Sequence, residues 1–322
     1  MRTLAIAAAT LLAGLLGTLP AAAQFPDRPL RLVSGFAAGG ASDLLSRIVA
    51  EAASPLIGQR IVVENRTGVN GVIAAEAVAR SAPDGYTAFQ CPMSTMSITP
   101  QLQGANLPLD PGAELVPVSN VALSSYGLVV AAGSPHRSVT DLLAAARARP
   151  GQLTFASAGV GSAQHLSGEL LKRLAGVDMV HVPYRGAAPA IVDILGGRTD
   201  FMITNLSDAA RQIQGGELRL LGQGDPSIFP LFPDVPRIAE TVPGFEVTGW
   251  FGICLPKATP RGPVERWANA IRRAMDDPAL VRRLQDAGFT PLYEDPEAFA
   301  RRLAQDRRTW RDVIQAGNVR AN

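Results

Sequence analysis

The sequence predicts an α/β protein of two similar lobes that close on each other as a clamshell, each lobe a mostly parallel sheet flanked by helices. Three observations predict it. Short apolar runs alternate with helical patterns along almost the whole chain. The pattern starts over in the middle, where "LTFASAGVGSAQHLSGELL" repeats the plan of "LRLVSGFAAGGASDLLSRI": a strand, a small-residue turn with two glycines, and a helix opened by serine. Two Pro-rich segments, 106–125 and 229–245, lie where the chain would pass between the lobes.

The first stretch is excluded from the fold. Arg2, the apolar run "LAIAAATLLAGLLGTL" and the small residues before Gln24 have the layout of a secretory signal peptide over 1–23, with cleavage after Ala23. The apolar run is short for a bilayer span and no basic stop-transfer flank follows it. Strands are expected at 30–35, 60–65, 86–90, 127–132, 153–158, 179–184, 200–204, 218–223 and 247–256, each rich in Val, Leu, Ile or Phe. Helices are expected at 41–56, 71–82, 138–150, 162–176 and 187–197. Ser138 and Asp141 form a capping-box-like start, and Pro150-Gly151 ends that helix. The lobes are expected to be 24–124 and 125–246, with 247–322 returning the chain to the first lobe through a strand and the helices after Pro263.

Composition excludes several functions. The 30 basic residues, less Arg2, face 28 acidic ones, so the mature chain stays near neutral. That leaves no footprint for nucleic acid or an anionic membrane. The basic stretch "RRLAQDRRTWR" reads as a solvated helix face. Cys91 and Cys254 are the only cysteines. Export makes a disulfide chemically possible, but two cysteines form no framework, and the pair reads as buried free thiols. His136, His165 and His181 are the only histidines and lack metal-ligand spacing. No metal and no cofactor is expected. "GVGSAQ" lacks the third glycine of a dinucleotide fingerprint, and no acid ends the next strand. There is no nucleophile elbow and no P-loop. His165 near Ser162 would need an orienting acid to act as a base, and none is placed. No catalytic residue is assigned.

The turns "AAGGAS" and "SAGVGSAQ" suit a different task. A helix N-terminus offers unpaired N–H groups and partial positive charge. Glycine lets an anion approach that backbone. Two such turns facing one cleft would grip a small carboxylate without a basic side chain. Asp43, in the first turn of its helix, reads as a dipole partner and not as a ligand contact.

Four segments carry a resemblance to a known family: "FPDRPLRLVSGFAAGGASDLLSRIVAE", "VVENRTGVNGVIAAEAVARSAPDGYT", the run from Phe155 to Met202 that includes "HVPYRGAAPA", and "FPDVPRIAETVPGFEVTGWFGICLPKATP". The chain resembles the substrate-binding receptors of tripartite tricarboxylate transporters, the Bug family, over nearly its whole mature length. The resemblance implies a two-lobed periplasmic binding protein, acting as a monomer, that captures a small carboxylate and delivers it to membrane subunits of a transporter. It carries ligand-binding roles onto Phe36, Ala38, Gly39, Gly40, Ala41 and Ser42 of the first turn. It does the same for Ser157, Ala158, Gly159, Gly161 and Ser162 of the second, with His165 after it. Ser94 and Thr95, and Thr204 and Asn205, correspond to further pocket segments. Ala37 replaces the proline usual in the first turn, and Thr204 stands where many members carry aspartate. A neutral Thr204 implies a ligand without a free amine, a plain mono- or dicarboxylate. Two rival functions use the same cleft: a ligand-loaded co-sensor for a membrane signalling system, and a periplasmic enzyme acting on a small acid.

Overall fold

The computed structural model describes residues 25–317. The signal segment 1–23 lies outside the described residues. The first lobe opens with β1 (Leu30–Ser34), α1 (Ala41–Ile57), β2 (Ile61–Asn65), α2 (Val72–Ala79) and β3 (Thr87–Pro92), followed by the short α3 (Pro111–Glu114). β1 lies between β2 and β3, parallel to both. α1 has the helical spacing of a half-buried element and lays Leu45, Ile48, Val49 and Ala53 on the sheet. It ends at Gly58, whose φ of 96° lets its N–H close on the Ser54 carbonyl.

β4 (Leu115–Ala131) is a single strand of 17 residues. After it come α4 (Val139–Ala148), β5 (Thr154–Ser157), α5 (Ala163–Ala175), β6 (Val180–Pro183), α6 (Ala187–Leu195), β7 (Phe201–Asn205), α7 (Leu206–Gln214) and β8 (Leu218–Gln223). The chain closes with β9 (Thr248–Pro256), α8 (Arg261–Met275), α9 (Pro278–Asp286), β10 (Phe289–Glu294) and α10 (Pro296–Gly317). The sheet order is β2-β1-β3-β9-β4-β7-β5-β6, with β8 and β10 also on β4. Parallel pairs form the outer part of each lobe. Every antiparallel pair involves β4 or β9, the strands that join the lobes.

The sheet changes lobe within one peptide of β4. Ser125 pairs with Thr248 of β9, and Tyr126 pairs with Asn205 of β7. The expected strand at 127–132 is therefore only the second half of β4. Its first half lies in a Pro-rich stretch, and the ladder absorbs Pro117 at a register shift between Pro117 and Ser119. One apolar core runs through the crossing, from Phe89 and Met96 past Tyr126, Leu128 and Trp250 to Phe155 and Phe201. The basic stretch near the C-terminus lies on α10. There Arg302 pairs with Glu294 at 2.6 Å and Arg307 with Asp110 at 2.8 Å, while the other basic residues stay in water.

Cys91 of β3 and Cys254 of β9 form a disulfide, with Cα atoms 6.0 Å apart. This corrects the reading of two free thiols. Cysteine count carries no information about pairing, whereas the antiparallel register Phe89–Cys254 and Cys91–Gly252 sets the two side chains on adjacent strands.

Asp225 sits at the crossing. Its carboxylate accepts the Tyr126 N–H at 3.1 Å and the Thr248 hydroxyl at 2.9 Å, so it ties both joining strands. Burial pushes its pKa from 3.8 up to about 6, against the hydrogen bonds that favour the anion. A carboxyl whose folded pKa is raised costs nothing while both states are protonated. The cost grows as pH rises from 3.8 and is complete above about 6, reaching ~3 kcal/mol. Asp225→Asn removes this slope. Urea unfolding of both proteins at about pH 4 and pH 7 is expected to show the wild type losing ~2–3 kcal/mol relative to the variant between the two values. An unchanged difference would refute the assignment.

Candidate functional site

The β1–α1 turn brings a helix N-terminus to the space between the lobes. Gly39 takes the left-handed φ of 88°, and Gly40, the N-cap, is extended. Asp43 folds back to accept the Gly39 N–H at 3.0 Å, and Arg47 and Asn65 hold it there. Hydrogen bonding and charge from Arg47, with Gly39 and Asn65, keep the Asp43 carboxyl low despite its burial. The Ala41 N–H is taken by an acid from the other lobe: it donates to Asp208 Oδ1 at 2.5 Å. The Ser42 and Asp43 N–H groups, next along the first turn, have no protein partner among the described residues.

Asp208 was not anticipated. It lies in the first turn of α7, a helix the sequence reading also missed. Its Oδ2 accepts Thr204 Oγ1 at 2.5 Å and Asn205 Nδ2 at 3.0 Å. No Lys, Arg or His forms an ion pair with it among the described residues. Burial raises its pKa, and the donors from Thr204, Asn205, Ala41 and Gln164 work against that rise. The signal was present in "NLSDAARQIQ": an Asn cap followed by an acid in a helical first turn. Thr204 is fully buried and its hydroxyl is committed to Asp208. The neutral wall inferred from Thr204 alone is thus not what the cavity presents, because a carboxylate stands one helical turn away.

The β5–α5 turn is saturated largely from within. Ser162 caps α5 by accepting the His165 N–H at 3.2 Å, and Gly161 N–H donates to His165 Nδ1 at 3.2 Å. Ser162 therefore faces the helix backbone and not the imidazole as a nucleophile would. His165 stacks on His181 with ring centroids 3.9 Å apart, and His181 Nε2 lies 2.6 Å from Ser157 Oγ. Burial, then repulsion from His165, pushes the His181 pKa down to about 3, and burial lowers His165 too. Both rings are neutral at neutral pH.

A strained turn links the two loops. Gly68, Val69, Asn70 and Gly71 all have positive φ, which is costly for a β-branched valine. The turn aims the Asn70 amide across the cleft, where Nδ2 donates to Thr99 Oγ1 at 2.6 Å and to the Gly161 carbonyl at 3.0 Å. Thr95 donates to the Asn70 carbonyl at 2.8 Å from behind.

Two adjoining spaces result. A cavity of about 30 Å³ is lined by Phe36, Gly40, Ala41, Ser42, Ser94, Ala158 and Asn205 of the expected set. Tyr126, Gln164, Asp208, Trp250 and Phe251 line it as well, and the sequence reading missed them. Beyond Phe36 and Ala158 it adjoins a groove of about 560 Å³ bordered by Val69, Asn70, Leu102, Gly159, Tyr184 and Arg185. Ala38, Gly39, Thr95, Ser157, Gly161, Ser162, His165 and Thr204 line neither space. Several of them hold the groups that do.

A family model described as a tripartite tricarboxylate transporter family receptor, TctC, matches residues 45–319. The chain belongs to this family. The TctC-type chain is 38% identical over 300 residues to a protein encoded in the tcbD–tcbE intergenic region of Pseudomonas sp. strain P51, covering 92% of this chain and 89% of the relative. A protein of R. palustris solved with adipate is 32% identical, with a TM-score of 0.88 over 92% of this chain and 99% of that one. MatC from Rhodopseudomonas palustris, solved with bound malate, is 29% identical, with a TM-score of 0.85 over 90% and 100%. The TctC-type chain therefore has the two-lobed fold of periplasmic binding proteins, and its family and structural neighbours are solute-binding proteins.

Proposed function

We propose that this TctC-type receptor is exported through its 1–23 signal segment and captures a small carboxylate between its lobes in the periplasm, as a monomer, for uptake by a tripartite-type transporter. The lobes are taken as 24–124 with 247–322, and 125–246. The observation that carries the reading is the α1 N-terminus at the inter-lobe cavity, where a main-chain N–H already holds a carboxylate, that of Asp208. Among the described residues no Lys or Arg lines that cavity, so anion binding there falls to backbone N–H groups, Ser42 and Ser94. The adipate and malate bound by the two R. palustris relatives support the same ligand class. Phe36, Ala158, Trp250 and Phe251 supply apolar walls for the ligand's carbon chain.

Binding to the folded state alone stabilises it by RT ln(1 + [L]/Kd), about 2.7 kcal/mol at a hundredfold excess over Kd. For a chain of this length that raises Tm by roughly 4 °C. Melting with adipate, malate, citrate and benzoate is expected to show such a shift for at least one acid, and none for a neutral sugar or a metal cation. A shift with the sugar or the cation alone would overturn the ligand class.

A further inference from the structure

Asp208 stands where the ligand's carboxylate is expected. Among the described residues it is the one acidic side chain lining the small cavity. Its residue is only 7% exposed, and its charge is met by the Ala41 N–H, Thr204 Oγ1 and Asn205 Nδ2, all neutral donors. A ligand carboxylate at the α1 N-terminus either displaces Asp208 from Ala41 or sits beside it on the Ser42 N–H. In a space of about 30 Å³, both arrangements bring two carboxyl groups into one desolvated site. Two carboxylates so placed do not both stay ionised, and one carries a proton.

We propose that Asp208 is the specificity-determining residue of this site: on binding, the ligand's carboxylate takes the α1 N–H groups, and Asp208 takes up one proton from solvent and remains as the neutral acid. The inference rests on the carboxylate reading above. Charge balances, since one anion and one proton enter together and leave together. Neutral Asp208 then donates its O–H to the ligand and still accepts from Thr204 and Asn205. Asp208 therefore sets what a ligand must bring with it: an acid without a cation binds together with one proton. A ligand ammonium would keep Asp208 ionised and bind without a proton.

In the free protein burial raises the Asp208 pKa, and the hydrogen bonds from Thr204, Asn205 and Ala41 hold its anion against that rise until a second carboxylate enters. The other charged or titratable groups that face it are few. Arg211 lies on its own helix, Asp43 and Arg47 on α1, and Arg283 and Asp286 on α9 border the outer groove it shares with them. Tyr126 faces it from β4, with its pKa raised by burial and by the charges of Asp208 and Asp225. Asp43 is held as the anion by Arg47. Asp225, on the crossing strands, titrates near 6 and is intact in an Asp208 variant.

Titration calorimetry of the full protein with adipate, and with malate as second probe, in phosphate and in Tris at about pH 7.5 counts protons taken up per ligand. Wild type is expected to take up close to one, and Asp208→Asn close to none. Wild-type affinity is expected to fall by up to ~tenfold per pH unit above neutrality, while the variant's profile stays flat and its affinity at about pH 8 exceeds the wild type's. Wild-type binding without proton uptake overturns the proposal, and so does a folded Asp208→Asn that no longer binds. The wild-type count decides alone if the variant does not fold. Absence of binding by any acid to either protein removes the carboxylate reading itself.

Discussion

Replacing both Cys91 and Cys254 by alanine is expected to lower the unfolding free energy by ~5 kcal/mol. The disulfide closes a loop across a sequence separation of 163, which contains all of β4 to β8 and so the second lobe. In the chain-entropy account, a closure of that length removes ~5 kcal/mol of freedom from the unfolded state. The native side changes little, because β3 and β9 are already paired through Phe89–Cys254 to Pro92–Phe251. Both sulfurs are fully buried, so the double variant also leaves a small packing defect in the same direction. Denaturant unfolding of the oxidised wild type and of the variant gives the difference, with a larger m value expected for the variant as its unfolded chain expands. A thiol count in denatured, unreduced protein is the independent check. Two reactive thiols would sink the prediction.

Gly40→Val is expected to cost at least ~hundredfold in carboxylate affinity while Tm in the absence of ligand stays near the wild type's. The position is extended, so a branched residue meets no backbone penalty. A Cβ there would lie 3.4 Å from Asp208 Oδ1 and 4.0 Å from Ala187 Cβ, which is ordinary contact. The two further methyl groups then fill the space before the α1 N–H groups. Losing two hydrogen bonds to an anion is worth ~3–6 kcal/mol.

Gly161→Val is expected to behave differently, although both glycines lie in matching turns. Gly161 has a φ of 77°, and a Cβ would run into Leu102. Its carbonyl is also the acceptor of the Asn70 bridge. The variant should lose ~2–3 kcal/mol of stability along with binding. Arg185, the one charged residue bordering the groove among the described residues, is the control. Arg185→Ala should keep measurable binding. Loss of binding in Arg185→Ala with Gly40→Val still active would mean that a side chain holds the ligand.

The order of strands and helices was legible because each is announced within a few residues. The Ser138 cap is an example: its Oγ accepts the Asp141 N–H at 3.0 Å, while Asp141 accepts the Arg137 N–H at 2.9 Å. The two glycine turns were legible for the same reason, since Gly39 and Gly161 have the left-handed φ that only glycine takes freely. β10 and α7 were not read. β10 holds a proline and ends in an acid, and α7 follows β7 with no breaker between them.

The sequence by itself determined the two-lobed α/β plan, the places where a strand hands over to a helix N-terminus, and the family. The tertiary structure alone decided what those N-termini meet. The partner of Ala41 lies 167 residues away, that of Cys91 163, and that of Asn70 91. Turn chemistry and periodicity act over a few residues, because they follow from backbone torsions and the repeat of a helix or strand. Contacts between lobes depend on how β4 and β9 carry one sheet into the other. That pairing gathers Asp208, Tyr126 and Trp250 around a single small cavity.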